Sequence, residues 1–393
     1  MRNNERFQLD YALISIVIIL AIFSIGTLYT IKPFLPSKYE LFNFHLLQLR
    51  WYILGSVVVV FIMLIDYDRF RKFTWFLYGA GLIPLLMIFF KNYIPDNLIV
   101  EFNGVARAVN IPVLGALQPA EFFKIILTMT LAHVIFHHNE KYVERTVKSD
   151  FQLLLKIGVV SMIPMGLIAI QPDLGSTLVL AFITASLVLV SGIQWRVLFS
   201  VIIAGLIGVG AVILLWLISP GKIGSFLEDS VFVHVKSRYY GWIYPEKYLD
   251  SGYQLILSRR AIGSGQLTGK GIRNIEVSDV PEQHTDMIFT AIAEQTGFIG
   301  VSILIIVFFL LIYRLISIAL KSNDQYGAFL VTGFIGMFTY QIFQNIGMSI
   351  QLLPITGIPL PFLSYGGSSI LTYMMAIGIA LNVYSRTKTY MFD

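Results

Sequence analysis

The chain has 393 residues, of which 56% are hydrophobic and 13% are charged. Soluble domains carry about 25% charged residues, so this composition excludes an ordinary soluble protein and favours a lipid environment. The chain has no cysteine, which excludes disulfides and thiolate metal sites. Its net charge of +5 is modest, so the placement of the basic residues is more informative than their sum, and no nucleic-acid partner is expected.

Long apolar runs recur at a length that suits a bilayer. Roughly 20 apolar residues match a ~30 Å hydrocarbon core at 1.5 Å per residue. Ten spans are predicted, the second and sixth of them short: Tyr11–Ile31, Trp51–Ile65, Thr74–Phe90, Ala120–Phe136, Leu153–Ile170, Ser176–Ser191, Trp195–Leu217, Gly300–Ile318, Gly327–Ile350 and Gly366–Val383. The first run is too long for a signal peptide and lacks a small-residue cleavage site, so it is expected to be retained. The sequence thus predicts an all-α polytopic membrane protein, with one domain over residues 1–393.

The basic residues predict the orientation of these spans. An even number of spans places both termini on one side, and most of the basic residues flanking the spans fall on that side: Arg2, Arg6, Arg69, Arg71, Lys72, Lys141, Arg145, Lys148, Lys321, Arg386 and Lys388. The opposite short loops carry fewer: Lys32, Lys38, Arg50, Lys91 and Arg107. The positive-inside rule then predicts cytoplasmic termini. A large extracytoplasmic loop, about residues 219–299, is predicted between spans seven and eight.

Ionisable groups within or beside a span are costly, so each is a functional candidate. In LQPAEFFKIIL, Pro119 suits a helix start, and Glu121 and Lys124 follow at a spacing that allows them to pair. Two interpretations remain open. The pair either stabilises helix packing, or Lys124 faces an anionic substrate while Glu121 holds it in place. In AIQPDLGST, Asp173 is expected to cap a helix.

The stretch VPEQHTDMIFT, from Val280 to Thr290, places titratable groups before an apolar run. The residues at its start predict a helix, in which Glu282 and Asp286 would share one face: Ser278, Asp279 and Pro281. Asp286 would lie at the outer interface, where a shielded carboxylate has a raised pKa and can act as a general base. The alternative is a water-exposed cap. His284 is expected to be an interfacial hydrogen-bonding residue rather than a metal ligand.

Two glycine-rich or proline-rich segments are expected to contribute to a site. AIGSGQLTGKG surrounds Lys270 with glycines but matches neither common nucleotide-binding loop, so a flexible loop that approaches a ligand closely is predicted. Three prolines and several glycines interrupt the apolar segment from Asn345 to Ser369. Irregular backbone at membrane depth survives only beside protein or a wet cavity, and such breaks often mark binding sites.

Four motifs together resemble the SEDS family (shape, elongation, division and sporulation), which is represented by RodA, FtsW and SpoVE, with RodA the closer expectation. They are QPAEFFK at Gln118–Lys124, QPDLGST at Gln171–Thr177, PEQHTDMIF at Pro281–Phe289 and GIPLPFLSYGGSS at Gly357–Ser369. Each motif alone is moderately specific, but the four in this order are highly specific. The resemblance covers nearly the whole chain from Asn103 onward.

The resemblance implies a peptidoglycan glycosyltransferase that polymerises lipid II on the outer face of the bacterial cytoplasmic membrane, together with a class B penicillin-binding protein that cross-links the product. It implies that Asp286 is the essential aspartate. The expected substrate-binding residues are Arg107, Glu121, Lys124, Glu282, Lys270, Ser364 and Tyr365. Where the family usually has tryptophan after the arginine, this chain has Ala108, which makes a typical activity or substrate preference an open question.

Mg²⁺ or another divalent cation could share the contacts to the diphosphate, with Asp286 and Glu282 as its candidate ligands. Two other functions stay open. Broken helices and intramembrane charges also suit a lipid II flippase or transporter, although the key groups cluster on one face and no internal repeat is visible. The second of these other functions is that of a non-catalytic scaffold for a penicillin-binding protein. The sequence does not distinguish between roles in elongation, division and sporulation.

Overall fold

The computed structural model describes residues 8–102, 105–111, 115–218, 233–277 and 280–387. These residues form helices and one small sheet, in this order: α1 (Tyr11–Ile31), α2 (Phe44–Leu64), α3 (Tyr67–Phe89), β1 (Ile99–Phe102), β2 (Val105–Ile111), β3 (Gly115–Leu117), α4 (Pro119–Lys141), α5 (Val147–Ile170), α6 (Leu174–Val190), α7 (Trp195–Ile218), α8 (Val233–Ile243), α9 (Leu249–Ser264), α10 (Ile288–Lys321), α11 (Gln325–Ser349) and α12 (Gly367–Arg386). The predicted all-α membrane fold is confirmed.

Each of the ten predicted spans falls on a helix, namely α1–α7 and α10–α12. Eight helices in the described part of the chain are long and apolar enough to cross a membrane. The helix Leu174–Val190 and the stretch Trp195–Gly208 of α7 are apolar but shorter. The count of ten crossings therefore stays a prediction. The basic residues Arg2, Arg6 and Lys388, the helix-start residues Ser278 and Asp279, and the first part of the predicted long loop lie outside the described residues.

The centre of the bundle consists of α4, α11 and α12. Most of their apolar windows are buried, between 67% and 83%, whereas α1, α2 and α3 bury no more than a third and present the rest outward. Small residues allow the central helices to approach closely, as is common inside membranes. At Gly333 of α11, for example, a Cβ atom would lie 2.4 Å from Cγ2 of Thr128 on α4.

A three-stranded antiparallel sheet, in the order β1–β2–β3, precedes α4. Along β2, Ala106 and Ala108 are buried, and Arg107 is half-buried between them. Successive residues of a strand point to opposite faces of the sheet, so Arg107 points to the face opposite to that of Ala106 and Ala108. Sequence reasoning treated this segment as a short outer loop and missed the strands.

The helix predicted at the start of VPEQHTDMIFT is absent. Turns occupy Pro281–Met287, and α10 begins only at Ile288. Glu282 has a φ of +53°, a left-handed conformation that no helical residue adopts. The helix then runs through the residues that were predicted as the end of the outer loop, and the membrane boundary of that loop stays a prediction. The spacing argument for Glu282 and Asp286 on one helix face is therefore wrong.

A break at Gly297 interrupts α10, with φ 62° and ψ −164°. The glycine-rich segment after α9 packs directly onto this break. Backbone nitrogens of Lys270 and Gly271 donate to the carbonyls of Glu294 and Gln295 at 3.0 and 3.1 Å, and Phe298 N donates to the Gln266 carbonyl. Glycines are needed there because a Cβ on Gly269 would lie 2.2 Å from the Gln295 carbonyl oxygen. The predicted close approach exists, but its partner is another backbone rather than a ligand.

Buried Glu294 stabilises the same junction. Its Oε1 accepts hydrogen bonds from the backbone nitrogens of Glu276 and Val277, at 2.8 and 3.1 Å. Lys270 forms an ion pair with Glu276 and lies 3.9 Å from Glu294. These contacts hold the chain that leads from α9 towards Asp286.

Gly297→Ala is expected to destabilise the protein by more than the about 1–3 kcal/mol that backbone strain alone costs. The reason is that a Cβ there would also lie 2.2 Å from the backbone nitrogen of Gly269. The midpoint of thermal unfolding in detergent measures this effect. Gly166→Ala in α5, where a Cβ meets nothing within 4 Å, serves as the control and is expected to leave the midpoint unchanged or raised. Equal midpoints for the two variants would contradict the packing role of Gly297.

Candidate active site

A cavity of about 580 Å³ opens where α2, β2, α4 and α6 meet two irregular segments, Glu282–Asp286 and Gly357–Ser369. Four carboxylates and three basic side chains line it: Glu121, Asp173, Glu282, Asp286, Arg50, Arg107 and Lys124. Cavities that combine such converging polar groups with apolar walls are the usual form of a ligand site.

Asp286 is half-buried in this cavity. Desolvation, and to a lesser extent the negative charge of Glu282, raise the pKa of Asp286 from its ordinary 3.8 to about 7. Arg238 and a hydrogen bond from Thr285 oppose that rise. A carboxylate with a pKa near neutrality can accept a proton and release it again at physiological pH. The raised pKa expected from sequence is thus present, although burial in a turn rather than on a helix face produces it.

Glu282 reaches the same part of the cavity from the other end of the turn. The Thr285 hydroxyl lies 3.1 Å from Glu282 Oε2 and 3.2 Å from Asp286 Oδ1. Because a hydroxyl has one proton, it can donate to only one of these carboxylates at a time. The Tyr39 hydroxyl donates to Glu282 Oε1 at 3.4 Å. The turn therefore brings together the two residues that the predicted helix was meant to align.

His284 points away from these carboxylates and packs as an aromatic ring. It is 4% exposed, and its ring centroid lies 4.4 Å from that of Phe44 and 4.6 Å from that of Tyr39. Burial lowers the pKa of His284 to about 4. Its Nδ1 has no hydrogen-bond partner among the described residues. Sequence analysis predicted an interfacial hydrogen bond for His284, whereas its Nδ1 forms none with the described residues. The ring instead packs on Phe44 and anchors the turn against α2.

Glu121 and Lys124 line the cavity as a buried pair, with Lys124 Nζ 2.5 Å from Glu121 Oε1. The predicted pairing is confirmed, and because both groups also line the cavity, the packing and ligand-binding interpretations are compatible. Glu121 Oε2 has no partner in the described part of the structure. Asp173 caps α6, as predicted, by accepting from Ser176 N at 3.0 Å, and it also accepts from Gln118 Nε2 at 2.9 Å.

Arg107 and Ala108 both line the cavity from β2. Arg107 Nη2 donates to the Pro172 carbonyl at 3.0 Å, and its Nε has no partner within the described ranges. The guanidinium therefore retains a buried donor that no described residue satisfies. Ala108 is 1% exposed and contributes only a methyl side chain to this wall.

Arg238 of α8 is a candidate that sequence reasoning missed. Its Nη1 donates to the Thr356 carbonyl at 3.3 Å. Burial and the neighbouring charge of Arg107 lower the pKa of Arg238, whereas Asp173 and Asp286 raise it. Arg238 is therefore within electrostatic reach of three cavity residues. No motif signals it, because its hydrogen-bond partner lies 118 positions later in the chain and only the structure brings the two together.

Three further predicted residues have different outcomes. Tyr365 lines the cavity, as expected, with its ring 4.7 Å from that of Phe44. Ser364 is buried and does not line it, because its hydroxyl accepts from Leu360 N at 2.8 Å and stabilises the turn. Lys270 also lies outside the cavity, paired with Glu276.

Glu282 and Asp286 were the candidate ligands for a divalent cation. The described residues contain no group of three or more His, Asp or Glu side chains that could hold a metal ion by themselves. Mg²⁺, however, is commonly bound by one or two carboxylates together with the phosphates of a substrate. The carboxylates of the turn fit that second kind of site.

An apolar helical bundle with a cavity lined by charged side chains defines a polytopic membrane protein. The chain belongs to the FtsW/RodA/SpoVE family, since the family model, described as "Cell cycle protein", matches residues 9–389. This finding confirms the resemblance seen in the four motifs.

Individual relatives agree with this assignment. The chain is 32% identical to a probable peptidoglycan glycosyltransferase FtsW of Trichlorobacter lovleyi, over 97% of this chain and 94% of the relative. It is 32% identical to the stage V sporulation protein E of Bacillus subtilis, over 86% and 87%, and 29% identical to the peptidoglycan glycosyltransferase RodA of Treponema pallidum, over 98% and 100%.

Solved structures share the fold. One, described as showing "structural coordination of polymerization and crosslinking by a peptidoglycan synthase complex", matches with a TM-score of 0.73 and 25% identity, over 96% of this chain and 97% of the other. The crystal structure of RodA of Thermus thermophilus matches with a TM-score of 0.67 and 24% identity, over 98% and 99%.

The raised pKa of Asp286 predicts a pH-dependent stability. Between about pH 4 and pH 7 the folded protein holds a proton that the unfolded chain releases. The stabilisation from this group is therefore complete below pH about 4 and is lost as the pH rises through 7. Asp286→Asn removes this dependence. The difference between the thermal midpoints of the variant and the wild type should therefore increase in favour of the variant between pH 5 and pH 7 and stay constant above pH 7. A difference that is the same at every pH would contradict the raised pKa.

Proposed function

We propose that this chain is a peptidoglycan glycosyltransferase that polymerises lipid II at the outer face of the bacterial cytoplasmic membrane. The observation that carries the proposal is a carboxylate with a near-neutral pKa in one cavity with unpaired guanidinium nitrogen and a buried ammonium. The FtsW and RodA relatives, which carry the name of this activity, support it.

In this reaction, a sugar hydroxyl of one lipid-linked disaccharide attacks the anomeric carbon of another, and a polyprenyl diphosphate departs. Asp286 accepts the hydroxyl proton as the general base, a role that suits its pKa. Positive charge must stabilise the departing diphosphate. Arg50, Arg107 and Lys124 line the cavity, and Arg238 lies close enough to interact electrostatically with Asp286. Lys124 already has a carboxylate partner, Glu121, at 2.5 Å.

Mg²⁺ is part of the proposal, with Glu282 as its principal protein ligand and Asp286 beside it. When bound, the ion would neutralise part of the diphosphate charge. The near-neutral pKa of Asp286 favours its use as a base, which leaves Glu282 as the carboxylate of the turn that is available to the ion.

The partner in this proposal is a class B penicillin-binding protein, which cross-links the glycan product. The similarity to a peptidoglycan synthase complex supports such a partner. We also propose that both termini are cytoplasmic, which places the cavity at the outer face and Asp286 at the depth of the lipid headgroups. The excess of basic residues on the other side of the membrane supports this orientation.

Asp286→Asn is expected to lower the rate of lipid II polymerisation by about 10²–10⁴-fold, because that is the usual contribution of a general base. Purified protein, lipid II and Mg²⁺, with the glycan separated on a gel, measure the effect. Glu140→Gln, an exposed carboxylate outside the cavity, is the matched control and should polymerise normally.

The same assay separates the alternatives. Transfer of lipid II across vesicles without polymer would favour a flippase, and an absence of both activities would favour a scaffold. Near-normal polymer from Asp286→Asn would contradict the assignment of the base.

Glu282→Gln is expected to raise the Mg²⁺ concentration for half-maximal polymerisation by roughly tenfold, in line with the loss of one polar contact to a charged group. A titration of initial rate against Mg²⁺ after chelator treatment measures it. Glu140→Gln, which alters an exposed carboxylate outside the cavity, is again the control. An unchanged Mg²⁺ dependence for Glu282→Gln would count against the metal site.

A further inference from the structure

Helix α2 presents three different faces. One face is buried against the segment that precedes α12, where Gln48 Nε2 donates to the Ser364 carbonyl at 3.0 Å. A second face is exposed and apolar, with Leu49 42% exposed and Ile53 58% exposed. The third face lines the cavity through Leu47, Arg50 and Trp51.

Arg50 stands where the second and third faces meet, because it is both exposed and part of the cavity lining. Sequence reasoning placed it in an outer loop. The structure instead places it six residues after Phe44, the first residue of the helix, which is about 9 Å along the axis at 1.5 Å per residue. Charged side chains within or beside membrane spans are costly, and they mark functional positions more often than structural ones.

The contacts of the cavity's basic residues distinguish Arg50 from the others. Lys124 is committed to Glu121, and Arg107 donates to the carbonyl of Pro172. In contrast, no hydrogen bond, ion pair or ring contact joins Arg50 to any residue in the described ranges. Its guanidinium, with five donors in a planar fork, is thus available for an anionic ligand.

The position of Arg50 defines the chemistry of that ligand. An anion that reaches it from the bilayer must carry an apolar chain, because the adjoining residues Leu49 and Ile53 are apolar and exposed. An anion that continues into the cavity must be joined to a polar group of a size that fits about 580 Å³. A polyprenyl diphosphate linked to a saccharide satisfies both conditions, and guanidinium groups bind phosphates with paired hydrogen bonds.

We propose that Arg50 binds the diphosphate of the lipid-linked substrate at a lateral opening of the cavity beside α2. The proposal rests on the proposed function, since it assigns that substrate class to the cavity. Arg50 thereby holds the diphosphate at the boundary between bilayer and cavity, so that the attached saccharide is directed inward.

The test is direct binding of a polyprenyl diphosphate to the full-length protein in nanodiscs of uncharged lipid. Arg50→Ala is expected to raise the dissociation constant by roughly 10- to 100-fold, the usual consequence of losing a hydrogen bond to a charged group. Arg50→Lys should weaken binding less, because it keeps the charge and loses the paired geometry. Arg196→Ala, which removes an exposed guanidinium from α7 outside the cavity, should leave binding unchanged.

Two further ligands identify what Arg50 recognises. The corresponding polyprenyl alcohol should bind equally to the wild type and to Arg50→Ala, because it lacks the anion. Phosphatidylglycerol in excess should not displace the polyprenyl diphosphate from the wild type. Displacement would overturn the proposal in favour of a general site for anionic lipids.

Folding is checked by thermal midpoints, and Arg50→Gln, which keeps most of the side-chain volume, replaces Arg50→Ala if the alanine variant does not fold. A wild-type dissociation constant for a folded Arg50→Ala or Arg50→Gln variant would overturn the proposal and leave the polymerase function intact. Wild-type protein that binds the diphosphate but forms no glycan would contradict the polymerase function and leave the role of Arg50 standing.

Discussion

The side-chain amide of Asn345 is the contact on which the geometry of the cavity depends. Its Nδ2 donates to the carbonyl oxygens of Asp286 and Ile358, at 2.7 and 2.8 Å. These carbonyls belong to the two irregular segments that form one side of the cavity, and Asn345 itself lies in the buried interior of α11. One amide therefore fixes the backbone of the carboxylate turn relative to the backbone of the proline-rich segment.

Other helices satisfy the remaining carbonyls of the proline-rich segment. Ser24 Oγ of α1 donates to the Leu363 carbonyl at 2.8 Å, and the hydroxyl of Tyr52 on α2 donates to the carbonyl of Phe362. Gln344 Nε2 of α11 donates to the Pro354 carbonyl at 2.9 Å. Because non-helical backbone in a membrane is tolerated only when its polar groups are paired, these polar side chains on apolar helices are what permit the segment to line a cavity.

The sequence predicted the features that depend on local composition. Apolar length indicated the helices, the spacing of Glu121 and Lys124 indicated their pairing, and the residue type of Asp173 indicated its cap. Each depends on residues within a few positions of one another, for which periodicity and capping rules hold. The break of the segment from Asn345 to Ser369 was visible for the same reason, since proline and glycine act on their own backbone.

Features that depend on tertiary contacts were missed. Helix-start residues before Glu282 favoured a helix, but the turn is held by the stacking of His284 on Phe44, a contact with a residue 240 positions earlier in the chain. The glycines around Lys270 indicated close approach without identifying the partner, which is the break at Gly297. Arg238 gave no local signal at all. Such residues acquire their roles from chain segments that only the folded structure brings together.

The distinction between local features and tertiary contacts also applies to Ala108. A tryptophan at this position, which the family resemblance led us to expect, would bury about 150–250 Å², whereas Ala108 has only a methyl group and is 1% exposed. Aromatic surface is nevertheless present elsewhere in the cavity, from Trp51 on α2 and Tyr365 beside α12. Trp51 packs so closely on α12 that a Cβ at Gly367 would lie 2.3 Å from its ring. The wall of the cavity beside Arg50 is therefore aromatic and closely packed on α12, whereas β2 contributes Arg107 and the small side chain of Ala108 to the wall.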